Sequence, residues 1–382
     1  MTSWNSTNGA WLPGIWDSPE TLFKTLDYMR DHKVEYLFPT TKTLTKDGKF
    51  QINSNFMIYL HQFMGTIKEY EDSPRACGKK FKVIPAVGMC FQKENVDEFF
   101  EFENEEAHRN AVASVRQFIV PEAEDSFVTG MPRDFDGVQF SVGRDDVYNF
   151  EILKKFLREV KATTGKIVSL AVPGYGRGWG GSGFYYSALY VDLLTPMCFN
   201  TSCQTPEEYQ ANMKDQVYNI LYGVSGQYAR NHGRPGHGIK VLFGFPCFPD
   251  SEDTKAIHNS AAENIAAAAK GAAEGAEKLI AEGNDALDFA AGASLYMFSD
   301  GKGKDGYSTE QDMDDFGKYW AYEKHDYEEP PPPPPPTKDI PDGGDKGGET
   351  PGGDPDNSSN TPLVKVFVVV VLMVCAWIIS VG

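Results

Sequence analysis

Seven short, almost wholly apolar runs recur along this chain, separated by stretches that carry helix signals. They are VEYLFPTT (residues 34–41), FKVIPAVGM (81–89), FDGVQFSVG (135–143), KIVSLAVPGYG (166–176), YVDLLTPMCFN (190–200), IKVLFGFPCF (239–248) and ASLYMFSD (293–300). Each has the length and residue types of a buried strand. Near-continuous apolarity is what strands need when both faces of a parallel sheet are covered.

The intervening segments supply the covering helices. Ser18-Pro19-Glu20 places a capping hydroxyl, a first-turn proline and an acid before a periodic run to Met29, and Thr205-Pro206-Glu207-Glu208 does the same before Tyr209 to Tyr222. A further helix is expected from Tyr148 to Val160, and the Ala-rich stretch from Ala261 to Ala281 is helical by propensity. Seven βα units in about 325 residues predict an α/β fold, a single (β/α)8 TIM barrel over residues 1–325. A doubly wound open sheet is the alternative. No G-x-G-x-x-G turn opens a helix after the first of these strands, so no dinucleotide site and no cofactor are expected. In a barrel, function is read at the C-terminal strand ends.

Beyond the barrel the composition changes in kind. Residues 326–362 contain seven consecutive prolines, Pro330 to Pro336, followed by a Gly, Asp and Glu-rich stretch with almost nothing to bury, so a disordered acidic stalk is expected. Residues 363–382, LVKVFVVVVLMVCAWIISVG, are apolar except for Lys365 and Ser380 and are just long enough to cross a thin bilayer. They read as a transmembrane helix or as a glycolipid-anchor signal with small residues at Ser358 to Asn360, a tail anchor being the third possibility. The N-terminus has no signal-peptide pattern. Sequons at Asn5, Asn200 and Asn357 favour a cell-surface or luminal glycoprotein, with the barrel outside the cytoplasm.

The chain holds 54 acidic and 36 basic residues, a net charge of −18, which argues against a nucleic-acid partner. Of the six cysteines, Cys375 lies in the apolar tail, and the other five form no even disulfide framework. Cys198 and Cys203 are close enough in sequence to bridge a loop, or are buried thiols. No Cys or His spacing suits zinc, and no metal is expected.

FDGVQFSVG resembles the fourth barrel strand of glycosyl hydrolase family 18, the chitinases and chitinase-like proteins, whose signature is D-G-x-D-x-D-x-E. AVGM, LAVPGYG, LLTPMCFN, GFPCF and GASLYMF are similar, in order, to the family's third, fifth, sixth, seventh and eighth strands. The resemblance implies a barrel and substrate-assisted hydrolysis of N-acetylated sugars. In that mechanism one protonated glutamic acid serves the leaving oxygen, and an aspartate two residues earlier orients the acetamide, unlike the usual pair of carboxylates.

Laid on this chain, the signature keeps Asp136 and Gly137 but has Gln139 and Ser141 where aspartates belong and Gly143 where the acid belongs. Glycine cannot donate a proton. On the sixth strand the family's Tyr and Asp are Phe199 and Asn200, and the tryptophan floor of the sugar site corresponds to Tyr296. Asp145 and Asp146 are the candidates for a displaced acid. Aromatic residues near strand ends, among them Trp4, Trp11, Trp16, Tyr175, Trp179, Phe199 and Tyr296, are candidate sugar platforms together with Asn200. Thr2-Ser3-Trp4 resembles the end of the family's first strand without the strand itself, so that strand is expected to be missing or truncated. The expected function is a membrane-displayed, catalytically inactive chitinase-like protein that binds chitooligosaccharide-like glycans or a protein ligand. The alternatives are a surface glycosidase with a displaced acid and a structural or adhesive surface protein.

Overall fold

The computed structural model describes residues 7–12, 18–41, 43–50, 52–89, 103–142, 150–176, 179–225, 239–248, 258–296 and 310–321. The strands are β1 (Asn8–Leu12), β2 (Val34–Pro39), β3 (Lys82–Val83), β4 (Ala86–Met89), β5 (Gly137–Val142), β6 (Ile167–Pro173), β7 (Leu193–Met197), β8 (Lys240–Pro246) and β9 (Ala290–Tyr296). They form one parallel sheet in the order β3-β2-β1-β9-β8-β7-β6-β5-β4.

β3 and β4 are two halves of one barrel strand, parted at Ile84-Pro85 because proline has no N–H to give to a ladder. Both neighbours bond across this break. Ile84 N donates to Leu37 O at 2.9 Å and Thr41 N to Ala86 O at 2.9 Å, while Asp136 N reaches Val83 O and Gln139 N reaches Pro85 O, each at 2.9 Å. The sheet therefore closes into a barrel of eight strand positions. Each position is followed by a helix: α1 (Pro19–Asp31), α2 (Ser54–Asp72), α3 (Glu105–Ile119), α4 (Phe150–Thr164), α5 (Gly181–Ala188), α6 (Pro206–Ser225), α7 (Ile265–Ala281) and α8 (Glu310–Phe316), the last running into a π-helical turn at Gly317–Ala321. This is the (β/α)8 architecture expected from the apolar runs.

The sequence leads to a first strand that is missing or truncated; the structure has one of five residues. Asn8–Leu12 lies between β2 and β9 and covers the edge that would otherwise be open. NGAWL is hard to read as a strand because Asn, Gly and Ala have poor β propensity and five residues show little periodicity. Gly9 is needed there, since a Cβ at that position would lie 2.7 Å from the Phe38 ring that fills the barrel.

Caps set the helix starts. Asn53 Oδ1 accepts Phe56 N at 2.8 Å to begin α2, and Asn264 Oδ1 accepts Ala267 N at 2.9 Å to begin α7, later than the Ala-rich composition alone suggested. Gly271 lets α7 press against α6, because a Cβ there would meet Gln210 O at 2.2 Å. At the N-terminal ends of the strands, Asx side chains bind neighbouring backbone: Asp192 Oδ2 accepts Val168 N at 2.8 Å, and Asn8 Oδ1 accepts Ala293 N at 3.0 Å.

Two cores result. The larger lies between sheet and helices, and the smaller fills the barrel with Trp11, Tyr36, Phe38, Ile84, Leu193 and Leu242 among others. Among the described residues no helix is long and apolar enough to cross a membrane. The stalk (326–362) and the apolar tail (363–382) lie outside the described residues.

Candidate functional site

The signature strand β5 separates into three levels. Asp136 stands just before it, at the N-terminal end of the barrel, where Oδ2 accepts Val83 N at 2.8 Å and Arg133 Nη1 at 3.0 Å. Arg133 also reaches the buried Glu71, Nε to Oε2 at 3.2 Å. The one acid of the signature that this chain keeps thus ties strands together at the face where barrels build stability rather than chemistry.

Gln139 points into the barrel and is 0% exposed. Its Nε2 donates to Ser169 Oγ at 2.9 Å and to Thr195 Oγ1 at 3.0 Å, while Oε1 has no partner. Ser294, on β9, is equally buried and its hydroxyl is likewise unpartnered. The barrel centre is therefore unusually polar for a position that branched aliphatic side chains normally fill. Ser141 is the next inward residue toward the C-terminal face, beside Gly88 and Ala171 in register and half-buried. Gly143, Asp145 and Asp146 lie outside the described residues, as do Trp4, Trp16, Asn5 and Asn357.

Aromatic residues gather at the C-terminal ends of β1, β7, β8 and β9. Tyr296 stacks on Phe199 with centroids 4.7 Å apart and 27° between planes, and meets Trp11 edge-on at 5.3 Å. Phe248 closes the group, 5.6 Å from Phe199 and 5.8 Å from Tyr296. Phe199 and Trp11 are buried, and Tyr296 is half-buried. Burial, and then the nearby Cys247, push the Tyr296 hydroxyl well above its ordinary range.

The other sequence candidates divide. Tyr175 is 39% exposed and backed by Phe184 in a stacked arrangement, a ring available to a ligand. Trp179 is not: it is buried between Phe150 and Phe184 and packs as core. Asn200 adopts a left-handed backbone (φ 59°), is 7% exposed, and has an unpartnered Oδ1. Thr40 and Thr43, just after β2, add two more buried hydroxyls without partners. Orphaned buried polar atoms are rare enough to need an explanation, and these five lie in the barrel or just beyond its C-terminal strand ends.

Sequence reading missed Glu263 and His258. Glu263 precedes the cap of α7, and its side chain is buried. Oε2 accepts Asn200 N at 2.6 Å, and Oε1 accepts Thr201 N at 2.6 Å and Thr201 Oγ1 at 2.8 Å. His258 Nδ1 stands 3.0 Å from Oε2. A carboxylate engaged in this way is not free to serve as an acid. Glu263 sits 63 and 62 positions from Asn200 and Thr201, which it holds, a separation that no local motif reveals.

No disulfide joins the described Cys77, Cys198, Cys203 and Cys247. Cys203 Sγ instead accepts the Thr201 hydroxyl at 3.0 Å. Among the described residues no group of three or more His, Cys, Asp or Glu side chains is placed to hold a metal. A cleft of about 350 Å³ opens between α3 and α4 on the outer wall, lined by Arg109, Arg116, Glu124 and Glu159 among others.

No family model matches the chain, and no curated protein matches it in sequence. Solved structures similar to it include a GH113 β-1,4-mannanase, 15% identical, with a TM-score of 0.47 over 83% of this chain and 99% of that one. The spore cortex-lytic enzyme SleL of Bacillus cereus is 11% identical, with a TM-score of 0.46 over 77% of this chain and 71% of that one. The ICChI chitinase of Ipomoea carnea is 11% identical, with a TM-score of 0.42 over 77% and 94%. Likenesses of this size say nothing about chemistry, and the barrel stands on its own strand order.

Proposed function

We propose that this protein is a carbohydrate-binding barrel without hydrolytic activity, displayed at a membrane surface by its acidic stalk, and that its ligands are N-acetylated glycans of the chitooligosaccharide type. The observation that carries the reading is Gln139. Where the resemblance to family 18 puts a carboxylate, this chain has a neutral amide bonded inside the barrel to Ser169 and Thr195. Ser141 continues the same replacement toward the mouth, and in the sequence Gly143 stands at the acid position of the signature. Without a proton donor of raised pKa the glycosidic oxygen is a poor leaving group.

Binding is supported separately. Exposed Tyr175 and half-buried Tyr296, at the C-terminal ends of β6 and β9, are aromatic rings of the kind on which sugar rings stack. The test is calorimetric titration of the folded barrel with N-acetylchitotetraose beside a fluorogenic chitobioside hydrolysis assay. Heat without turnover supports the reading, and turnover abolished by Asp145→Asn/Asp146→Asn replaces it with a displaced-acid glycosidase. Display at the surface is tested by phospholipase C treatment of intact cells, where release identifies a glycolipid anchor and retention a spanning helix.

A further inference from the structure

We propose that Glu263 and His258 are positioning residues for the barrel mouth: a buried, hydrogen-bonded carboxyl–imidazole pair that holds the backbone of Asn200 and Thr201 in the shape ligand binding requires. The proposal rests on reading the mouth as a ligand site, and its test separates the two.

Both side chains are 0% exposed. Glu263 accepts three N–H and O–H donors from Asn200 and Thr201. His258 Nδ1 lies 3.0 Å from Glu263 Oε2 and Nε2 lies 3.2 Å from Phe248 O, so the ring bridges the carboxyl group to the backbone just after β8.

A buried polar pair of this kind is weak as a source of stability, because well-packed apolar residues do as well or better. This pair does something apolar residues cannot. Asn200 (φ 59°) and Ser202 (φ 61°) both hold left-handed backbone, a conformation costly for side chains other than glycine and maintained only when the surroundings over-determine it. The amides of Asn200 and Thr201 converge on the one carboxylate, which supplies that determination. The pair also reaches the aromatic wall. The His258 ring stacks on Phe248 at 4.2 Å and 24°, and Phe248 abuts Phe199 and Tyr296. Loop and wall are thus set by one buried, hydrogen-bonded pair on the next βα connection.

The experiment compares wild type, Glu263→Gln and Glu263→Gln/Ser202→Gly by amide hydrogen exchange at Asn200 and Thr201, near-ultraviolet circular dichroism, and titration with N-acetylchitotetraose. Glu263→Gln is expected to speed exchange of both amides at least 100-fold, alter the aromatic dichroism and weaken binding tenfold or more. Ser202→Gly, which accepts left-handed backbone without penalty, is expected to restore much of the binding. Unchanged exchange and dichroism in folded Glu263→Gln overturn the proposal, as does weakened binding that glycine does not restore. Should Glu263→Gln fail to fold, Glu263→Gln/His258→Leu, which removes the imidazole together with the carboxyl group, takes its place with the same expectations. If wild type binds no chitotetraose, the glycan reading fails, while exchange and dichroism still decide whether the pair holds the loop.

Discussion

Trp320 donates its indole N–H to Asn8 Oδ1 at 2.9 Å, joining the π-helical turn after α8 to the first strand across 312 residues. The same oxygen accepts Ala293 N at 3.0 Å, and Asn8 Nδ2 donates to His32 O at 3.2 Å. One buried amide thereby ties β1, β9, the end of α1 and the C-terminal turn. Asn8→Ala leaves several buried groups unpaired and is expected to cost about 2–4 kcal/mol. Urea unfolding monitored by circular dichroism checks this, and a loss under about 0.5 kcal/mol would refute the role assigned to Asn8.

Tyr175 and Trp179 should respond oppositely to alanine substitution. Tyr175 is an exposed ring, so Tyr175→Ala should leave the melting temperature unchanged and weaken glycan binding by about 2–12-fold, the scale of one aromatic stacking contact. Trp179 packs against Phe150 and Phe184, and Trp179→Ala should cost about 3–5 kcal/mol. Thermal melts paired with titrations would show the pattern reversed if Trp179 were the platform.

Gln139→Met is expected to cost about 1–3 kcal/mol, because the buried hydroxyls of Ser169 and Thr195 lose the donor they accept, although the orphaned Oε1 also disappears. Glycan affinity should be unaltered. A tenfold loss of affinity in the folded variant would place Gln139 in the ligand site instead of the core.

Asp27 gives the acid side of the stability profile a distinct contributor. Burial pushes its carboxyl up, but the hydrogen bonds from Arg75 and Tyr70 and the charges of Arg75 and Arg30 outweigh this and leave it below the ordinary 3.8. Arg75 Nε stands 2.7 Å from Oδ2 and the Tyr70 hydroxyl 2.8 Å from Oδ1. A depressed folded-state value means that the stabilisation is fully present above the unfolded value and is lost as pH falls through the folded one. Asp27→Asn should therefore be less stable than wild type at neutral pH, with the difference closing in acid. A difference that stays constant down to low pH would contradict the account.

Much of the barrel was legible because its strands are covered on both faces, so each of the seven apolar runs marks a strand from its composition alone. β1 was not, since NGAWL owes its place to pairing with β2 and β9 and not to its own propensity. The break at Pro85 became visible only when the two half-strands were seen to bond different neighbours. At the mouth, residue types identified Tyr175, Phe199 and Tyr296 but not which rings face a ligand, because burial separates Trp179 from Tyr175 although both sit in one Gly-rich loop. Glu263 and His258 gave no signal, as their roles depend on contacts between separate βα units.

The most direct test of the account is N-acetylchitotetraose titration of the folded barrel, run alongside the hydrolysis assay on the same preparation. Saturable binding that Tyr175→Ala weakens, with no sugar released, is the result predicted. Release of shortened oligosaccharides, or no binding by protein that melts cooperatively, would contradict it.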